Sequence, residues 1–352
     1  MSSNMFHTRI LLRLALGAGA IFVFFPLFLG GVLPVPKNVT SRIWQKPGVD
    51  QRLPCSQLPG ADEILVVMRT GATELEAKLP VHFNTTFLCY PNYVIFSDDE
   101  EDFEGHHIVD ALKYVSPDTQ ASHPDFDLWR RLQQHGRAAL DAVELSGAEV
   151  ELSGGLGKPE NAGWKLDKWK FLPMLNRTMY EHPDMKWYVF VETDTYIFWT
   201  TTLAWLNTLD HRERQYMGAQ MQIGEVVFAH GGSAFVLSQA SMRAVVELFQ
   251  AHQREWEDFT ADHWAGDCVL GKALADSGTP LTWAWPIFDG KKPGAIDYTR
   301  FDYGKRQWCY PTVSSHHLSP EEIEDLWYYE EELIANVSNA VNEISGSSLT
   351  QS

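Results

Sequence analysis

The apolar run Trp187 to Val191 ends abruptly at Glu192-Thr193-Asp194. An unbroken run of strand length, without the alternation of a half-exposed strand, predicts a strand covered on both faces, as the strands of parallel sheets are. Such a strand needs helices on either side of its sheet, and the surrounding sequence supplies them. Ile64 to Met68 is a short apolar run followed by a turn at Gly71 and a helical stretch reaching Leu79. Tyr93 to Phe96 repeats the plan and stops at Ser97-Asp98. A helix is predicted from about Asp125 to Val143, with Leu128, Leu132 and Ala139 near one face. A second is predicted from Leu166 to Tyr180, after the glycine-rich break Ser153 to Gly157. Strands alternating with helices imply an α/β domain with a mainly parallel central sheet. With 352 residues, 45% hydrophobic and 12% aromatic, the chain can bury one large core or two modest ones.

In such sheets ligands sit outside the carboxyl ends of the strands. Three polar clusters mark those ends here: Arg69-Thr70, Ser97-Asp98 and Glu192-Thr193-Asp194. The third lies between a buried strand and the aromatic run Tyr196, Phe198, Trp199, where an uncompensated carboxylate is costly. A divalent cation with hard oxygen ligands compensates it, and a diphosphate leaving group requires the same kind of ion. The formal net charge of -18 argues against nucleic acid, whose phosphates need a basic stripe.

Ahead of this domain, Ile10 to Leu33 carries an apolar run long enough to cross a bilayer as a helix. Arg9 and Arg13 precede it, favouring a cytoplasmic tail over residues 1–9 and a signal anchor over 10–33. A cleaved signal peptide is the alternative, although the run is long for one and lacks a clean small-residue cleavage site. The prolines of residues 34–60 suit an extended stem, leaving 61–330 for the folded domain and 331–352 for a tail. Sequons at Asn38, Asn84, Asn176 and Asn336 point to lumenal exposure of everything beyond Leu33. Cys55, Cys89, Cys268 and Cys309 have no zinc-site spacing, so two disulfides are expected. Three pairings are open, and loop placement favours Cys55 with Cys89 and Cys268 with Cys309.

Further motifs follow in order. Gly231-Gly232 leads into the apolar strand Ala234 to Leu237 and a helix from Gln239 to His252. Gly266-Asp267-Cys268 opens a probable helix in which Asp267 also suits an N-cap. Two imidazoles, His316 and His317, precede a helix starting near Pro320, with Glu321 and Glu322 in its first turn. Taken together, from about Glu63 to Trp327, the chain resembles glycosyltransferase family 31, in the fungal branch related to core 1 β-galactosyltransferases and Fringe-like enzymes. WYVFVETDTYIFW stands for the family's DDDTY, HGGSAFVLS for its GGAGYVLS, GDCVLGKAL for its EDxxxG stretch, and SHHLSP for its FHxxSP. The chain departs from these at Glu192 and Thr193, which replace two aspartates, at Gly266, which replaces a Glu, and at Ser233-Ala234, which replace Ala-Gly.

The resemblance implies a GT-A-like nucleotide-sugar-binding fold and an inverting, Mn²⁺-dependent transfer of a hexose or N-acetylhexosamine. The donor would be a UDP-sugar, the acceptor a glycan or glycoprotein, and the setting the lumenal side of a Golgi membrane. Carried over by position, Asp194 and His316 become metal ligands and Asp267 the general base. Thr70, Asp98, Lys168 and Glu192 are candidates for holding the nucleotide, and Trp283 and Trp285 for stacking on a sugar, with core packing the alternative for at least one of the two. Two rivals differ in class. A catalytically silent, chaperone-like binding paralogue in the secretory pathway predicts a broken metal site. A hydrolase would need its carboxylate pair to flank a glycosidic bond.

Overall fold

The computed structural model describes residues 54–145 and 161–348. The expected tail, membrane anchor, most of the stem and the break Ser153 to Gly157 lie outside them. Among the described residues no helix is long and apolar enough to cross a membrane.

The strands in chain order are β1 (Ile64–Arg69), β2 (Tyr93–Ser97), β3 (Glu101–Phe103), β4 (His106–Asp110), β5 (Trp187–Glu192), β6 (Tyr196–Ile197), β7 (Tyr216–Gly218), β8 (Gln220–Ile223), β9 (Val226–Ala229), β10 (Phe235–Ser238), β11 (Thr282–Trp283), β12 (Phe301–Asp302), β13 (Lys305–Arg306) and β14 (Ser314–Ser315). The helices are α1 (Leu75–Lys78), α2 (Pro80–Phe83), α3 (Pro117–Ser122), α4 (Asp127–His135), α5 (Ala162–Glu181), α6 (Trp199–Leu206), α7 (Gln239–Ala251), α8 (Gln253–Ala261), α9 (Gly266–Asp276) and α10 (Pro320–Ser348). Eight strands form one sheet in the order β11-β7-β10-β5-β1-β2-β4-β3. The pairs β5–β1, β1–β2, β2–β4 and β11–β7 are parallel. Strand β10 runs against both its neighbours, β5 and β7, and β3 runs against β4. The fold is therefore α/β with a large mixed sheet whose strands are mostly parallel.

Burial of β1 and β5 on both faces follows from their composition. Leu65, Val67, Tyr188 and Phe190 point into a core shared with Phe171 and Leu175 of α5, Val245 and Phe249 of α7, and Val269 and Leu270 of α9. The alternate residues Ile64, Val66, Met68, Trp187, Val189 and Val191 point the other way, onto Leu75, Leu203 and Leu206. Helix α5 starts where the Asn161 side chain accepts the amides of Gly163 and Trp164, an N-cap that opens the helix at Ala162, four residues before the predicted start. The helix predicted over 125–143 stops at His135, because Gly136 turns the chain with φ 57.

One expectation, a cysteine pairing, is corrected, and structure is seen on both sides of two expected boundaries. Packed structure begins before residue 61: Cys55 is bonded to Cys89, with Cα atoms 4.7 Å apart, and its carbonyl accepts from Trp199 Nε1. The C-terminal helix continues through the expected boundary at 330, held at Glu330 by four hydrogen bonds. Cys268 and Cys309 are not joined. Cys268 turns inward from the first turn of α9 onto Phe228 and Ala265, whereas Cys309 is exposed in a separate short turn over Gln307–Cys309. Of the sequons, Asn84 is exposed, while Asn176 sits inside α5 with its amide oxygen on Gln250 and the Thr178 hydroxyl buried.

Candidate functional site

Where β5 ends, the chain turns through Thr193 and Asp194 into β6. Its partner is β14, with Ser315 opposite Tyr196, so the residue after β14 arrives beside Asp194. That residue is His316. Its Nε2 lies 3.2 Å from Asp194 Oδ1, and the Leu318 amide donates to the Asp194 carbonyl at 2.9 Å. Lys78 Nζ approaches the other oxygen of Asp194 at 3.2 Å while pairing with Glu74 at 2.8 Å. Burial alone would push the Asp194 carboxyl up, but His316 and Lys78 more than offset it and hold the group below the usual carboxylate range. Asp194, His316 and His317 present their ligand atoms within 4.8 Å of one another, the only such set among the described residues that does not rest on disulfide-bonded cysteines.

The Glu192-Thr193-Asp194 turn is held from below. His82 Nε2 contacts the Thr193 carbonyl at 2.9 Å, and a carbonyl only accepts, so that nitrogen carries the proton. Burial pushes the His82 pKa down to about 4, so the ring is neutral and its Nδ1 accepts from the Thr86 hydroxyl.

Because β10 runs against β5, its lead-in Gly231-Gly232 lies at the edge where β5 ends. A Cβ on Gly232 would collide with the His316 ring, so glycine is what lets imidazole and backbone meet. The neighbouring Gly231 amide donates to Asp267 Oδ2 at 3.0 Å, and the Cys268 amide donates to Oδ1 at 2.9 Å. One glycine pair thus touches both the metal-ligand candidate His316 and the base candidate Asp267. Burial raises the Asp267 carboxyl, against the pull of those amides, His230 and Arg69. Asp267 does not cap its helix. It lies within the first turn of α9, and the N-cap is Ala265.

Two positions at which the chain departs from the motifs quoted above are under backbone constraint, and only the first of them explains its residue. Gly266 is dictated by α5, since a Cβ there would run into the Phe171 ring and the Lys168 backbone. Ala234 adopts φ 67, the left-handed region where the family's glycine is at ease.

The other candidates divide. Glu192 forms an ion pair with Arg69, whose other nitrogen bonds Asp167 at 2.5 Å, so this buried arginine ties β1, α5 and β5 together. Asp98 is fully buried, 2.8 Å from Lys170 Nζ, and accepts the Ala72 amide; Lys170 also donates to the Thr70 carbonyl. Lys168 is turned away: its ammonium is held by Asp125 at 2.9 Å and by the Ala261 carbonyl at 3.1 Å. The Thr70, Ser97 and Thr193 hydroxyls are buried without a hydrogen-bond partner at the carboxyl ends of β1, β2 and β5. Lys78, Lys170 and His230 escaped sequence reasoning, as did the pairing of Arg69 with Asp167 and Glu192, since only folding brings these groups together. Lys78 gave a trace of itself in its i,i+4 spacing from Glu74. No family model matches the chain, and no curated protein matches it.

Proposed function

We propose that the chain is a metal-dependent, inverting glycosyltransferase of GT-A-like fold, moving a hexose or N-acetylhexosamine from a UDP-sugar to a glycan or glycoprotein acceptor at the lumenal face of a Golgi membrane. The observation that carries this is the meeting of Asp194, Asp267 and His316, from three separate segments of the sequence, around Gly231-Gly232.

The donor set fits Mn²⁺. One carboxylate and two imidazoles give a mixed oxygen and nitrogen site, and Asp194 and His316 already face each other. A bound Mn²⁺ supplies a Lewis acid and a template for a diphosphate leaving group. The protein's own groups do the rest. Lys78, beside Asp194, adds a cation on the phosphate side. Two amides orient Asp267 and leave each oxygen a free lone pair. There Asp267 takes the proton of an acceptor hydroxyl as that oxygen attacks the anomeric carbon, and a single displacement inverts it. A silent binding paralogue has no reason to keep this set together.

UDP release tests the reading directly. With UDP-galactose, UDP-glucose and UDP-N-acetylglucosamine offered in turn, at least one should release UDP with Mn²⁺ and none with chelator. Equal release with and without Mn²⁺, or none from any donor, would refute it.

A further inference from the structure

Beyond β11 the chain builds an aromatic surface outside the site described above. The Trp283 and Trp285 rings lie near-parallel, 14° apart with centroids separated by 6.0 Å, and Tyr303 stands edge-on to both at 4.8 and 5.6 Å. Tyr303 occupies the tip of the β12–β13 hairpin and is 78% exposed; Trp283 is 46% exposed. Lys305, in that hairpin, donates to the Trp285 carbonyl and so pins the platform. Large exposed aromatic faces of this kind are interaction surfaces.

The sheet register places the platform relative to the site. Phe190, Phe235, Gly218 and Trp283 are successive partners across β5, β10, β7 and β11. Three strand spacings of about 4.8 Å put Trp283 about 14 Å from β5. Strand β11 runs in the same direction as β5, so both chains leave the sheet at the same edge. From Trp285 the chain returns to the site: the Gly290 carbonyl accepts the His316 amide at 2.9 Å. Platform and metal-ligand candidate are joined by one short segment, and the spacing from Trp283 to β5, the strand that ends at the site, is one that a short oligosaccharide spans and a single sugar does not.

We propose that Trp283, Trp285 and Tyr303 form a remote acceptor subsite that stacks on a sugar ring of the acceptor glycan, distant from the attacked hydroxyl. This rests on the reading of the protein as a glycosyltransferase and names its acceptor class: an oligosaccharide chain. Pyranose rings present C–H faces that pack on indole and phenol rings, while the flanking Arg300–Asp302 pair offers hydroxyl partners.

The test uses p-nitrophenyl glycosides of galactose, mannose and N-acetylgalactosamine, and trisaccharides ending in the same sugars. Binding is followed by tryptophan fluorescence and transfer by UDP release. Tyr303→Ala, at an exposed hairpin tip, and Trp283→Ala should each weaken binding of an accepted trisaccharide about tenfold and raise its KM alike. The monosaccharide KM and UDP-sugar hydrolysis should stay unchanged, and Trp283→Phe should restore most of the loss. Trisaccharide binding that is absent, or equal in wild type and both alanine variants, overturns the platform. Trisaccharide binding that needs the platform, in a protein releasing no UDP from any donor, supports the platform and overturns the transferase reading.

Discussion

Asp194 and Glu330 are carboxylates drawn into the same stretch of the molecule, residues 194–200, and they are held in opposite ways. Glu330 receives four neutral donors: the Tyr196 hydroxyl, the Trp199 and Thr200 amides and the Thr200 hydroxyl, at 2.5 to 3.2 Å. Both its oxygens are committed to starting helix α6 and fastening α10 to it. Among the described residues, the Asp194 side chain is approached most closely by Lys78 and His316, each at 3.2 Å. These are longer contacts to charged or protonatable groups that a cation can displace. Neutral donors packed around a carboxylate mark structure. Cationic neighbours, with a second imidazole close by, leave the carboxylate the arrangement that the proposed metal site calls for.

If that contrast is right, substitutions should sort by kind. The largest effect is expected at Asp267, whose neighbours leave it lone pairs. Asp267→Asn keeps the size and much of the hydrogen bonding but loses the base, so transfer should fall by at least about 10²-fold with the Tm near wild type. Near-normal turnover in the folded variant would move Asp267 to the structural class. Next comes Lys170→Ala, which strands the fully buried Asp98 without its cation. A loss of about 3–5 kcal/mol in denaturant unfolding is expected, and a loss within experimental error would mean Asp98 is not buried as a charge. Glu330→Ala should cost about 2–3 kcal/mol by leaving helix α6's first amides and the Tyr196 hydroxyl unpaired, with Mn²⁺-UDP affinity untouched. Smallest of all, Cys309→Ser should shift stability by less than about 0.5 kcal/mol, while native alkylation labels Cys309 and spares Cys268. Protection of Cys309 in the unreduced protein would restore the second disulfide.

The sequence carried the central strands, and the acidic turn at the end of one of them, for a physical reason. Trp187 to Val191 is apolar throughout because both its faces are covered, and the next residues are acidic because the strand ends at a polar edge. The glycine pair 231 and 232 was legible in the sequence, although what approaches it was not: His316 comes from a distant segment. The cation partners were hidden for the same reason. Lys168 and Lys170 stand two apart on α5 and look alike in sequence, yet helix geometry turns one to Asp125 and the other to Asp98. The disulfide between Cys268 and Cys309 failed because periodicity along α9 buries Cys268 in an apolar cluster.

The contrast between the two carboxylates can be measured by calorimetric titration of UDP in the presence of Mn²⁺ into wild type, Asp194→Asn and Glu330→Gln. The account predicts that UDP binds the wild type only when Mn²⁺ is present, that Asp194→Asn loses at least about tenfold in affinity, and that Glu330→Gln binds as the wild type does. Equal Mn²⁺-UDP affinity in wild type and Asp194→Asn would contradict it.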